Sequence, residues 1–429
     1  MASTLSVILI LLFILLAAGV WIAFSLLATA GISLAVFTSL PVSKIWAQAL
    51  WNSLNSWALA ALPMFIFLGE IVMRTKMSEL LFEGLKPWVQ FIPGRLLHTN
   101  IIGCTIFAAV SGSSPATAAT IGKITISQLD GAGYDKSLSY GSLAGAGTLG
   151  LLIPPSIVMI IYGVLAEVSI GKLFMAGIVP GLILALCYSF YLIVRVLINP
   201  KLAPRTTETF SWHRRATAVV QLLPVAALIF LILGSIYSGL ATPTEAAAVG
   251  VLVSLCLAWL LGDLRWHSLV AAMKGTIKTS TMICFIIVGA SFLSVAMGYL
   301  HLPADVVKAI AALQISPYVL ILFLTIFYVF LGCLLDGISM IVMTLPIALP
   351  LVVHAGFDPL WFGIYLVIVI EVAQITPPVG FNLFVIQALT DKSLGWVTLA
   401  ALPFATIMLI IMAFLTAFPG IVHWLPSRM

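Results

Sequence analysis

The chain has 429 residues, of which 62% are hydrophobic and 8% charged, and its mean hydropathy is +1.22. A soluble domain would carry roughly a quarter charged residues, and long apolar runs with Gly and Pro fit helices, not the alternating strands of outer-membrane barrels. The composition predicts an all-α polytopic membrane protein embedded in a lipid bilayer; the net charge of +5 comes from basic residues scattered at segment ends, which orients a membrane chain and gives no footing to a nucleic acid.

No Lys or Arg precedes Lys44, so the start lacks the basic region of a cleaved secretory signal and reads as a retained helix. Residues 5–20 and 22–39 are two short apolar segments. Residues 42–60, with Lys44, Gln48, Asn52, Asn55, Trp46, Trp51 and Trp57, suit an amphipathic arm in the interface. Residues 61–73 cross, and a loop with Arg74, Lys76, Lys86 and Arg95 follows on the cytoplasmic side. Next, Leu96–Val110 and Ala116–Gln128 flank Ser111-Gly112-Ser113-Ser114-Pro115. At ~1.5 Å per residue each arm reaches only about 20 Å, against about 30 Å of hydrocarbon. The pattern predicts a re-entrant hairpin with its tip inside the membrane, where irregular backbone must be buried in protein or line a cavity. Residues 137–166 cross, interrupted at Gly145 to Gly150 and at Pro154-Pro155. Residues 173–198 return, and 199–217, with Lys201, Arg205, Arg214 and Arg215, form a cytoplasmic linker.

The second half repeats the plan. Residues 219–238 and 244–261 cross, 263–278 form a basic arm, and 279–300 cross. Residues 317–351 form a second hairpin broken from Gly332 to Gly337, 359–390 cross with a break at Thr376-Pro377-Pro378, and 396–418 finish. Ala132-Gly133-Tyr134-Asp135 returns 223 residues later as Ala355-Gly356-Phe357-Asp358, Pro154-Pro155 as Pro377-Pro378, and Pro180 as Pro403. Each half, 1–198 and 218–429, therefore holds five crossings, one of them broken, and one re-entrant helical hairpin. An odd number inserts the second half upside down, giving two inverted-topology repeats with both termini outside. This arrangement puts 14 Lys and Arg inside and four outside, at Lys44, Lys172, Lys308 and Arg428. Such repeats in so apolar a chain point to a transporter with its site between the halves.

The first tip offers Ser111, Ser113, Ser114 and Thr117. Its second arm starts at Pro115, a favourable first-turn residue, so free N–H groups and the positive dipole end point into the site. Hydroxyls and carbonyls there suit a hard cation, and N–H groups a carboxylate; the alternative is small residues for tight helix packing. The second tip carries Gly332, Asp336, Gly337 and Ser339, and Asp336 stands 223 residues after Ser113. A carboxylate at that depth is costly unless paired or ion-bound, although it could also be a plain helix N-cap. Gly147, Thr148 and Gly150, and Gln374, Thr376 and Pro377, form the breaks facing the tips, where prolines free carbonyls a turn earlier. Ser156 and Asn382 follow the breaks and could contact substrate, as could Thr117 and Ser339. Glu371 precedes a break and is either functional or a brace. Cys104, Cys187, Cys256, Cys284 and Cys333 read as small buried hydrophobes, and the histidines lack metal-ligand spacing. Gly145-x-Gly147-x-x-Gly150 follows no strand, so it is not a dinucleotide fingerprint. A serine hydrolase at 111–114 would need a base within reach, and the nearest His in sequence is His98.

Together, Ser111-Gly-Ser-Ser, Leu152-Ile-Pro-Pro-Ser156, Tyr162-Gly-Val-Leu-Ala166, Ser169-Ile-Gly-Lys-Leu-Phe174, Pro243-Thr-Glu-Ala-Ala-Ala-Val-Gly250, Leu335-Asp-Gly337 and Ile375-Thr-Pro-Pro-Val-Gly-Phe-Asn-Leu-Phe384 resemble the large membrane subunit of tripartite ATP-independent periplasmic (TRAP) transporters. The resemblance covers nearly the whole chain. It implies a bacterial inner-membrane secondary transporter, driven by Na⁺ and taking up an organic acid. It further implies two partners, a small four-helix membrane subunit and a periplasmic substrate-binding protein. The mechanism it implies is an elevator, with hairpins and broken helices (92–166 and 317–390) sliding against scaffold helices and arms (1–73 and 218–300). Carried over, the Na⁺ sites involve Ser111, Ser113, Ser114 and Gly147 to Gly150 in one half, and Gly332, Asp336, Gly337 and Gln374 to Pro377 in the other. Pro115 and Ala116 replace the family's small–acidic run, which removes an acidic ligand from the first tip. The rival readings are an ion channel and the intramembrane serine hydrolase.

Overall fold

The computed structural model describes residues 2–204, 211–332, 335–378 and 380–428. Arg205 of the linker, Cys333 and Leu334 of the second tip, and Val379 lie outside the described residues. Among those described the fold is helical throughout, with no strand.

The first half opens with α1 (Ala2–Ala17), α2 (Ile22–Phe37), α3 (Val42–Leu54), α4 (Ala61–Met73) and α5 (Met77–Val89). The hairpin α6 (Leu97–Ser111) and α7 (Ser114–Gly131) follows, then the broken pair α8 (Lys136–Leu152) and α9 (Ile157–Leu165), then α10 (Ile170–Ile198). In the second half come α11 (Trp212–Tyr237), α12 (Pro243–Leu260), α13 (Trp266–Tyr299) and α14 (Leu302–Ala311). The hairpin α15 (Pro317–Gly332) and α16 (Gly337–His354), the broken pair α17 (Pro359–Gln374) and α18 (Phe381–Leu389), α19 (Leu394–Ala417) and α20 (Gly420–His423) complete the chain. Among the described residues seven helical segments are long and apolar enough to cross a membrane, or eight if the bent pair Val42–Leu54 and Trp57–Met73 is one span; Gly337–His354, expected as a short hairpin arm, is one of the seven, whereas α1 and α2, expected to cross, are shorter apolar helices.

The repeated Ala-Gly-aromatic-Asp motif does the same local work in both halves. Gly133 (φ 76°) and Gly356 (φ 92°) take the left-handed backbone just past a helix end. Asp135 and Asp358 then cap α8 and α17: Asp135 accepts from Leu138 N–H at 2.9 Å, and Asp358 from Leu360 and Trp361 N–H at 2.8 and 3.1 Å. The helices so launched form the centre of the molecule. Every residue from Leu138 to Leu152 and from Trp361 to Gln374 is buried. Outer helices keep apolar side chains on the surface, as lipid-facing helices do: Phe230 of α11 is 81% exposed. Both Pro154–Pro155 and Pro377–Pro378 are cis.

The structure departs from the sequence expectations in further places. Residues 77–89, expected in a loop, form α5, whose Leu81, Phe82, Leu85 and Val89 are buried at helical spacing while Glu79 and Lys86 complement its two ends. The second arm and the crossing after it are one helix of 34 residues, α13, whereas the first arm is set off by a 56° bend. Ser56 is extended at that bend (φ −101°, ψ 119°), and 263–278 contains no comparable interruption. The break in the first half falls at Ile153–Ser156, so Gly145 to Gly150 are helical. Their glycines serve close packing: a Cβ on Gly145 would meet Phe404, one on Gly147 would meet Ala118, and one on Gly150 would meet Ser113. Lastly, Cys104 is buried as expected, but Cys187 and Cys284 are only half-buried and Cys256 is exposed, because an apolar residue in this fold has the outer surface as an alternative to the core.

Candidate functional site

The first tip is an abrupt reversal between α6 and α7. Gly112 ends α6 in the left-handed region (φ 62°), where a side chain would also strike the Pro155 carbonyl. Ser113 is extended, and Ser114-Pro115 begins α7. The Ser111 and Thr117 hydroxyls lie 2.7 Å apart, and Thr117 donates to the Ser113 carbonyl at 2.8 Å. Ile157 N–H donates to the Gly112 carbonyl at 3.3 Å, tying the tip to the start of α9. Gly150 of α8 and Gly69 of α4 lie against the backbone of Ser113 and Ser111. Gly69 belongs to no motif read from the sequence; its signal is a lone glycine among bulky residues, directly before Glu70.

The second tip is built differently. Asp336 caps α16: it accepts from Ile338 N–H at 3.1 Å and Ser339 N–H at 3.4 Å, and from the Ser339 hydroxyl. The N-cap role is therefore real. A carboxylate has about four lone-pair sites, so three local donors leave capacity for a further ligand, and Asp336 is only half-buried. Gly332 and Gly337 rest on the last turn of α17, against Ala373 and Ile370, with the Gln374 side chain nearby. Gln374 is buried and its Oε1 has no hydrogen-bond partner.

One hydrogen bond joins the first tip to the broken helix of the other half. Asn382, on α18 just after the second break, donates from Nδ2 to the Ser114 hydroxyl of the first tip at 2.7 Å. Its Oδ1 is buried without a hydrogen-bond partner, and Gly147 lies against its amide nitrogen.

Of the expected site residues, the structure gathers Ser111, Ser113, Ser114, Thr117, Gly147, Gly150 and Asn382 around the first tip, and Gly332, Asp336, Gly337, Ser339 and Gln374 around the second. Three side chains are engaged elsewhere. The Thr148 hydroxyl turns to the Gly145 carbonyl (2.7 Å) and Met408 Sδ (3.7 Å), away from the tip. Thr376 donates to the Val372 carbonyl at 2.6 Å, within its own last turn. Ser156 is fully buried as the N-cap of α9, accepting from Met159 N–H at 3.3 Å. Pro377 and Pro378 are exposed, whereas Pro154 and Pro155 are buried. His98 is held by the Pro93 carbonyl at 2.8 Å, with no bond to the tip serines.

The orphaned amide oxygens of Gln374 and Asn382, the tip hydroxyls and the Asp336 carboxylate are all hard oxygen donors, a set that fits an alkali cation such as Na⁺ and does not suit a soft metal. Among the described residues no cluster of His, Cys, Asp and Glu could hold a metal by itself.

Residues 9–421 match the family described as tripartite ATP-independent periplasmic transporter, DctM component. The chain is 35% identical over 384 residues to the C4-dicarboxylate TRAP transporter large permease protein DctM of Pseudomonas aeruginosa, covering 89% of each chain. It is 33% identical over 397 residues, 91% of each, to the ectoine/5-hydroxyectoine TRAP transporter large permease protein UehC of Ruegeria pomeroyi. Among solved structures, the YdaH transporter of Alcanivorax borkumensis superposes with a TM-score of 0.61 at 14% identity, over 94% of this chain and 98% of that one, a likeness of fold alone.

Proposed function

This chain belongs to the DctM family of TRAP transporter large permease subunits, multi-pass proteins of the inner membrane, and on that premise we propose that it imports an organic acid by Na⁺-coupled elevator transport. It is a transport protein and not an enzyme, which removes the hydrolase reading of the tip serines. In the proposed mechanism the two halves are inverted repeats with periplasmic termini. A periplasmic binding protein delivers the substrate, and a small four-helix membrane subunit braces the scaffold. Tips and broken helices carry the cargo inward.

The observation that supports this best is the Asn382–Ser114 bond, because it makes one site from the tip of one half and the broken helix of the other. The electrostatics support it too. No Lys or Arg occurs in the described tip and break segments, so an incoming carboxylate has helix N-termini to bind, notably those of α7 and α16. It would also approach the Asp336 carboxylate. Two like charges about 4 Å apart repel by roughly 4 kcal/mol at an effective dielectric of 20. A cation held at the tips, by Ser111, Ser113 and Ser114 in one half and Asp336 and Gln374 in the other, would convert that repulsion into attraction. Each net positive charge carried inward adds about 2.3 kcal/mol per 100 mV.

The test is uptake into proteoliposomes holding this chain and its membrane partner, supplied with the loaded binding protein. Saturable uptake that follows an imposed Na⁺ gradient is expected. Uptake indifferent to Na⁺ would reject the coupling, and non-saturable flux would favour a channel.

A further inference from the structure

A carboxyl group is sealed in the centre of this protein without a counter-charge. Glu371 sits in α17, one turn before its break; it is 0% exposed, and neither carboxyl oxygen has a hydrogen-bond partner. The residue 223 positions earlier is Thr148, so the two are equivalents in the two halves, placed where α8 packs against α17. Tyr188 of α10 is near both: its hydroxyl, buried without a hydrogen-bond partner, lies close to Thr148 and interacts electrostatically with Glu371. The Leu152 backbone approaches the carboxyl group without completing a hydrogen bond.

Other ionisable groups on α17 and the helices around it are engaged elsewhere: Tyr365 of α17 pairs with the Thr325 hydroxyl, Tyr140 and Lys136 of α8 with Asp130, Tyr191 of α10 and Tyr318 of α15 pack on Phe404 and Phe357, and Lys172 and Arg195 lie at the two ends of α10. Tyr162 of α9 donates to the Pro359 carbonyl, Tyr328 of α15 pairs with the Thr344 hydroxyl, and His423 of α20 pairs with Asp358 at 3.7 Å. His354 lies at the far end of α16, and Cys187 neighbours Tyr188; α18 and α19 carry no ionisable side chain. Among the described residues no Lys or Arg pairs with Glu371. An ionised carboxylate in such a place is costly. A metal ion would need several oxygen ligands and room for itself, whereas a proton needs neither.

We propose that Glu371 is a proton-binding site, distinct from the cation donors at the tips. Its carboxylate takes a proton from water and holds it as a neutral acid, with the Tyr188 hydroxyl as its polar neighbour. The crossing of α8 and α17 stays closed while that proton is held. Release of the proton to water at alkaline pH leaves a bare charge between the two helices whose last turns support the tips. The transporter then loses the platform on which both tips rest. This goes beyond Na⁺ coupling and does not depend on it.

Infrared spectroscopy of the reconstituted subunit pair tests the proposal directly. Wild-type protein should show the C=O stretch of a protonated carboxylic acid, with or without Na⁺, lost on alkaline titration and missing in E371Q. Y188F should move the pH at which that band disappears. In parallel, the alkaline decline of uptake, normalised to each protein's own maximum, should flatten in E371Q, whose amide imitates the neutral acid. A wild-type protein without the band, or an E371Q protein that keeps it, would overturn the proposal. An E371Q protein that binds one Na⁺ fewer than wild type would also overturn it, by showing a metal ion where a proton is assigned.

Discussion

The two hairpin tips occupy equivalent places in the repeat, yet one is sealed and neutral while the other is open and charged. At the first tip Ser111, Gly112 and Ser114 are buried, the Ser111 hydroxyl pairs with Thr117 and that of Ser114 with Asn382, and the neighbouring Pro154-Pro155 is buried. At the second, Asp336 is half-buried and Pro377-Pro378 is exposed. A neutral tip can be buried cheaply once its hydroxyls are paired. A carboxylate cannot, and keeps its access to water until a cation joins it. The difference suggests a division of labour in which the second tip receives a cation from solvent and the first holds the geometry that joins the halves.

The largest effect should come from removing the charge. D336A is expected to abolish Na⁺-driven uptake while the protein still folds and binds its membrane partner, apart from the loss of a helix cap worth about 0.5–2 kcal/mol. Uptake by D336A with wild-type Na⁺ dependence would erase the contrast between the tips. Next in size is G112A. It forces a left-handed backbone on a side chain and drives a methyl group toward the Pro155 carbonyl, a combination that should cost about 1–3 kcal/mol in thermal stability and disable the first tip. A smaller effect is expected from the bridge between the halves. A double-mutant cycle on S114A and N382A, read as uptake or stability, should give a coupling of about 1 kcal/mol; additive effects would show that the bond does not link the halves. The smallest is S156A, expected to lower thermal stability by about 1 kcal/mol through the lost α9 cap. If S156A instead mainly weakened substrate affinity, the sequence expectation of a substrate contact would be restored over the structural role.

The helix ends at the tips were legible: α6 ends at Ser111 and α7 begins at Ser114, within the serine run, and α15 ends at Gly332 and α16 begins at Gly337, just after Asp336. The Asp135 and Asp358 caps were visible as a repeat, though their capping role appears only in the hydrogen bonds. Glycine misled the reading at 145–150. In a soluble helix a run of glycines weakens the helix, but between membrane helices the missing side chains let α8 approach Ala118, Phe404 and Ser113 closely. Charge misled it at α5, where Arg74, Lys76 and Lys86 suggested a loop and masked the buried stripe from Leu81 to Val89. Contacts between distant segments, such as Asn382 with Ser114, leave no trace in local pattern.

The most direct test of the account counts ions. Equilibrium binding of radioactive sodium to the purified complex of this chain with its membrane partner should reveal more than one Na⁺ per chain, and D336A should bind one fewer. Equal binding by the two proteins would contradict the claim that the second tip holds a cation.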